Sequence, residues 1–147
     1  MGETEARPPT LVFSTAMQII LLGRELQRRL EAELVQFGLT MRHLGALGHL
    51  SHRPDLSYSD LARRAGVTTP SMLATVRALE ELGAVSRGPS GQGLPARLEI
   101  TESGRELLDK VRGLIADLDR DLLASLPEPE REALNAALRA LVPPPGR

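Results

Sequence analysis

Tyr58–Gly83, YSDLARRAGVTTPSMLATVRALEELG, decides how the rest of the chain is read. Ser57, followed three residues later by Asp60, has the pattern of a capping box and opens a short helix. Ala65-Gly66-Val67 makes a tight turn, and a second helix opens on Thr-Thr-Pro-Ser, runs from about Thr69 to Leu82 and is closed by Gly83. Two helices joined in this way form a helix-turn-helix, whose second helix is free to lie in a DNA major groove. Downstream, Ala84–Arg87 and Ala96–Ile100 read as strands flanking the Gly/Pro-rich loop GPSGQGLP. A β-hairpin in that place is a wing. The segment 39–101 is therefore expected to be a winged helix-turn-helix, in a fold that is mainly α with a small β-wing.

Outward from this unit the signals are helical. Ile19, Leu22, Leu26, Leu30 and Leu34 fall at the three- and four-residue spacing of one helix face, predicting a long helix from about Thr10 to Phe37, stopped by Gly38. Thr40 caps a second helix ending near Ser51, and Arg53-Pro54-Asp55 forms the next turn. Thr101 caps a fifth helix of roughly 25 residues, about 38 Å long, with Leu107, Val111, Leu114, Leu118 and Leu122 as its apolar stripe. A sixth, from Pro129 to Leu141, carries Leu134, Leu138 and Leu141. Residues 1–9 and 143–147 read as loose tails. The outer helices, 10–38 and 102–142, carry more apolar surface than one small winged unit covers, and a long apolar stripe needs a partner. Packing only on their own winged unit is the alternative; a helix of that length overhangs so small a body. The expectation is one domain over 1–147 that forms a homodimer through these helices.

Composition agrees and excludes several classes. A chain of 147 residues, 41% apolar and 25% charged, suits one folded domain. Its longest purely aliphatic block, Ile19 to Leu22, is far short of the ~18 residues of a membrane span. Met1–Thr10 is acidic and Pro-containing, unlike a signal peptide, so a cytoplasmic protein without a membrane partner is expected. With no cysteine there are no disulfides, thiolate ligands or thiol switches. The net charge of −1 hides a local excess, because 62–97 holds five arginines against two glutamates. Phosphate contact needs such a local basic face, not global basicity. Lys110 is the only lysine, a mark of compositional bias.

On the second helix of the motif, residues placed at 100° intervals put Met72, Val76 and Leu79 on the core face. Pro70, Ala74, Arg77 and Glu81 lie opposite, with Ser71 and Ala78 beside them. Arg77 is the one long basic side chain aimed at a groove, and arginine to guanine is the commonest direct readout. The competing role is a surface pair with Glu80 or Glu81. Small residues at 70, 71, 74 and 78 let the helix lie deep. Thr68, Thr69 and Ser71 sit where free amides and the helix dipole attract a phosphate, and one of them caps the helix. Arg63 and Arg64 cannot both face the same way; each is a candidate phosphate contact or a solvated side chain.

Gly45 and Gly48 lie inside the second helix, each costing about 1 kcal/mol relative to alanine. Either the first helix approaches closely there, or the missing side chains open a cavity. His43, nearby, is structural or hydrogen-bonds an acidic ligand. His43, His49 and His52 share this segment, but without cysteine or a His-x-x-x-His pair they do not complete a tetrahedral site, so no metal and no other cofactor is expected.

Leu39-Thr40, Leu61-Ala62, Gly66-Val67, Pro70-Ser71, Leu79-Glu80, Gly83-Ala84-Val85, and Ile100-Thr101 with Gly104 follow one another in a distinctive order and spacing. In these the chain, over about Thr10 to Leu141, resembles the MarR family, the multiple-antibiotic-resistance regulators. The resemblance implies a roughly triangular homodimer that binds palindromic operators in double-stranded DNA, usually as a repressor. It also implies release by small, often aromatic or phenolic, effectors, bound between the dimer region and the winged unit, near His43, Gly45 and Gly48. The chain departs from the family where an arginine is usual and Thr69 and Ala74 stand instead, and where the wing's Asp-Arg-Arg aligns with Gln92-Gly93-Leu94. Arg87 and Arg97, at the base of the wing, remain as candidate DNA contacts.

Two functions from different classes remain open. One is a ligand-responsive repressor. The other is a winged-helix module for dimerisation or protein contact alone. Salt-dependent binding to generic duplex DNA separates them. No nucleophile–base set, phosphate loop or ligand cluster supports an enzyme.

Overall fold

Serine and threonine side chains start the first five helices. In the computed structural model, which describes residues 13–88 and 97–142, α1 spans Thr15–Leu34 and continues as a 3-10 turn over Val35–Phe37. It is followed by α2 (Met41–His52), α3 (Tyr58–Ala65), α4 (Thr69–Glu81), β1 (Val85–Arg87), β2 (Leu98–Ile100), α5 (Glu102–Leu123) and α6 (Glu128–Leu141). Ser14, Thr40, Ser57, Thr68 and Thr101 each accept a hydrogen bond from the backbone N–H three residues on. Such caps contribute ~1 kcal/mol apiece. Ser57 also donates its hydroxyl to the Asp60 carboxylate, at 2.8 Å.

Gly38, Gly66 and Gly83 adopt left-handed φ of 68°, 67° and 73°. After each, the next N–H turns back onto the preceding helix: Leu39 to Leu34 O, Val67 to Ala62 O and Ala84 to Leu79 O. This closure satisfies carbonyls the helix end leaves orphaned and reverses the chain at once.

The helices begin and end close to the expected places, with three adjustments. α1 begins at Thr15 because Ser14 caps it, and its last turn tightens to 3-10 before Gly38. α5 has 22 residues rather than roughly 25, a length of about 33 Å. The strands are three residues each, paired antiparallel as Val85↔Ile100, Ser86↔Glu99 and Arg87↔Leu98. Thr10, most of GPSGQGLP, Ala96 and both expected tails lie outside the described residues.

The core gathers where α2, α3 and α4 meet the base of the wing and the first half of α5. Leu47, Leu50, Leu61, Met72, Val76, Leu79, Leu98 and Val111 are fully buried there, together with Leu34 from the end of α1. The apolar stripes run on past this core. Leu30 and Leu34 pack into it, whereas Ile19, Ile20, Leu21 and Leu22 are each nearly half exposed. Ile115, Leu138 and Leu141 are exposed as well, and no residue of α6 is buried. Uncovered apolar surface thus concentrates on α1, α5 and α6.

One junction fixes the long helix to the winged unit. Thr101 donates its hydroxyl to Gly83 O at 2.6 Å, accepts the Gly104 N–H at 3.0 Å and donates its own N–H to Ala84 O at 3.1 Å. A Cβ on buried Gly104 would lie 2.1 Å from that same Ala84 oxygen. Only glycine lets the start of α5 press this closely on the chain leaving α4.

Candidate nucleic-acid interface

α4 presents the face expected of it. Met72, Val76 and Leu79 are buried, with Thr75 beside them donating its hydroxyl to Ser71 O at 3.1 Å. Pro70, Ala74, Arg77 and Glu81 are exposed. The surface pair that competes with a reading role for Arg77 does not form with Glu80, which is held by Arg87 through contacts of 2.7 and 3.3 Å. Among the described residues Arg77 makes no ion pair.

At the start of this helix Thr68 is the cap, accepting from the Ser71 N–H at 3.3 Å. Thr69 and Pro70 are exposed, and Pro70 lies in the first turn, where its missing N–H is not needed. Ser71 Oγ accepts from Arg42 Nη1 at 2.9 Å. Arg42 lies outside the arginine-rich stretch 62–97 and its contact spans 29 positions, so the sequence alone does not single it out. The signal it does carry is that of a cation in the first turn of α2, which opposes the helix dipole.

On α3, Arg63 is exposed and paired with Asp60, while Arg64 is partly buried, so the two point differently. Arg87 does more than stand at the wing. Besides gripping Glu80, its guanidinium lies 5.9 Å from the centre of the Tyr58 ring, joining β1 to α4 and to the start of α3. Arg97 is exposed, and its carbonyl closes the hairpin base by accepting the Gly88 N–H at 2.7 Å. Gln92-Gly93-Leu94 lie outside the described residues.

The structure gives His43 a structural task. Its Nδ1 accepts the Thr40 N–H at 3.1 Å, while Thr40 Oγ1 accepts the His43 N–H at 3.3 Å. This is a reciprocal capping box with an imidazole in the usual place of Glu or Gln. Burial, and after it the charge of Arg42, lowers the His43 pKa below its ordinary 6.5. Protonation of Nδ1 would remove the acceptor. The unfolded chain takes up this proton below about pH 6.5 more readily than the folded one, so the stabilisation is complete above that pH and is lost as pH falls through the folded pKa. The thermal midpoint is therefore expected to drop between about pH 7.5 and 5. His43→Gln, whose amide oxygen can accept the same bond, should lose that part of the drop. An unchanged pH profile in His43→Gln would contradict the capping role.

Gly45 and Gly48 are not explained by close packing among the described residues, where a Cβ on either meets nothing within 4 Å. Among the described residues three clefts open elsewhere, none of them lined by Gly45 or Gly48. One of about 360 Å³ lies between α1 and α5, bordered by Leu30, Leu114 and Leu118 with Arg28, Arg29 and Asp117. Another, of about 340 Å³, lies between the end of α2, β2 and α5, with Leu50, Ile100 and Leu108 beside Arg105 and Arg112. The third, of about 500 Å³, joins Thr40, Arg42 and His43 to Ser71 and Ala74. Among the described residues no His, Asp or Glu cluster suited to a metal ion forms, and no helix is long and apolar enough to cross a membrane.

Comparison with known proteins gives a consistent picture. Residues 37–93 match the sequence model described as the MarR family. The chain is 36% identical over 123 residues to the HTH-type transcriptional repressor Rv2887 of Mycobacterium tuberculosis, covering 82% of this chain and 87% of that protein. It is also similar to two crystal structures of the M. tuberculosis MarR family protein Rv2887. For the complex with DNA the TM-score is 0.75 at 29% identity, covering 88% of this chain and 98% of that one. For the complex with salicylic acid the TM-score is 0.71 at 31% identity, covering 88% and 96%.

Proposed function

We propose that this chain, which belongs to the MarR family, is a ligand-responsive transcriptional repressor that binds a palindromic operator as a homodimer. The observation that carries the reading is the division of α4: one face builds the core, while Pro70, Ala74, Arg77 and Glu81 stand exposed on the other. The DNA complex of Rv2887 supports it. In each copy α4 enters a major groove, the two grooves lying about one helical turn apart. Arg77 reads a base. Thr68, Thr69 and Ser71, with the amides at the start of α4, hold a backbone phosphate, and Arg63, Arg64 and Arg97 add further contacts to the backbone. Arg87 stands at the wing base and orients it through Glu80 and Tyr58.

The winged unit, 39–101, lies between dimerisation segments 10–38 and 102–142. Ile19 to Leu22, Ile115, Leu138 and Leu141 supply the apolar surface that a second copy covers. Sedimentation at micromolar concentration is expected to give twice the monomer mass. Leu138→Glu places an unpaired charge in the contact and should shift the protein to monomer. A Leu138→Glu variant that sediments as wild type would remove α6 from the interface.

The effector is a small aromatic or phenolic compound, a reading supported by the salicylic acid complex of Rv2887. The cleft between α2 and α5, with Leu50, Ile100 and Leu108 on its walls and Arg105 at its edge, suits an aromatic acid, Arg112 there being paired with Asp109. His43, Gly45 and Gly48 lie on the same helix, α2. Because Thr101 and Gly104 lock α5 to the end of α4, a shift of α5 moves the reading helix. The ligand must prefer the spacing that does not fit DNA, or it shifts nothing.

Titrating the purified protein with a generic duplex at increasing salt tests the reading. Affinity is expected to fall steeply and linearly on a log–log scale. Absence of salt-dependent binding would leave a dimerisation or protein-contact module instead.

A further inference from the structure

Arg42 occupies a place where its charge needs an explanation. It stands in the first turn of α2 and reaches Ser71 in the first turn of α4, so it lies beside the positive ends of two helices. Among the described residues it makes no ion pair; its Nη1 contact is to the neutral Ser71 hydroxyl. Glu31, the acidic residue bordering the same cleft, accepts from the Gln27 amide instead. The capping box formed by Thr40 and His43 fixes the turn from which Arg42 projects. Such surroundings repel a cation and attract an anion.

The cleft opens onto the working face of α4. Arg42, Ser71 and Ala74 line it together, and Ala74 belongs to the exposed face of that helix. The small side chain at 74 leaves room, and Arg42 is the long cation bordering it. We propose that Arg42 is a phosphate contact of the reading head, delivered from α2. On binding, its guanidinium meets a DNA backbone phosphate beside Ser71, at the edge of the groove that α4 occupies. A contact from a neighbouring helix at the N-terminal end of α4 fits the backbone, which fixes orientation, rather than a base edge. The proposal rests on the reading that α4 enters DNA.

Affinity for a generic duplex across a range of salt, measured together with thermal midpoints, tests it for wild type, Arg42→Gln and Arg42→Lys. Arg42→Gln should bind several-fold more weakly at moderate salt. Its log–log salt slope should be shallower by about one per lost contact, hence about two for a dimer with both heads engaged. Arg42→Lys should keep the wild-type slope, and all three proteins should melt alike. An unchanged slope in Arg42→Gln overturns the proposal; if its midpoint also falls, Arg42 only ties α2 to α4. Wild-type protein that shows no salt-dependent binding overturns both this proposal and the reading beneath it. Wild-type binding with an unaltered Arg42→Gln slope overturns this proposal alone.

Discussion

Gly104→Ala is expected to lower the thermal midpoint by on the order of 10 °C, through a loss of ~3 kcal/mol or more. The added methyl would lie 2.1 Å from Ala84 O and 2.9 Å from Ala84 C, both backbone atoms, and 2.8 Å from Ile100 Cγ2. The isoleucine can turn aside, but the carbonyl cannot without breaking its bond from the Thr101 N–H. Relief therefore requires α5 to lift away from the end of α4. That movement would also strain the Thr101 bond to Gly83 O. Gly45→Ala is the control, since its new methyl meets open space among the described residues and alanine favours the helix. It should melt at or slightly above the wild-type temperature. A Gly104→Ala protein that melts with wild type would mean that α5 does not start where the structure puts it.

Arg77→Ala is expected to reduce operator affinity by ~1–3 kcal/mol, and to relax preference at one base pair in each half-site. The guanidinium is exposed on the groove face of α4 and makes no ion pair among the described residues, because Glu80 is held by Arg87. Its loss therefore removes a reader and leaves folding intact. Arg97→Ala should differ in kind, weakening all sequences alike and flattening the salt dependence, as a backbone contact does. Competition between the operator and single-base variants separates the two. Unchanged affinity and unchanged base preference in Arg77→Ala would show a solvated arginine.

Most of the fold was legible because its signals are local. Thr40, Ser57, Thr68 and Thr101 satisfy amides within three residues, and Gly38, Gly66 and Gly83 reverse the chain where they stand. The buried face of α4 followed from spacing alone. What the sequence hid depends on parts of the chain that meet only after folding. Arg42 reaches Ser71 across 29 positions, and Glu80 belongs to Arg87 on the next element rather than to Arg77 one turn away. Gly104 stands out in the sequence beside Ile100-Thr101, but the carbonyl pressed against it does not. At His43 the local signal was masked by chemistry, since an imidazole in the third helical position fills a role usually given to Glu or Gln. The open space beside Gly45 and Gly48 among the described residues likewise exists only once the chain has folded.

The central claim is that two copies read DNA with α4, and selection from a pool of random duplexes tests it most directly. The purified protein should enrich a palindrome whose half-site centres lie about 10 base pairs apart, the spacing at which two reading helices meet successive major grooves. Sequencing that finds no enriched palindrome, from a protein that sediments as a dimer, would contradict the claim.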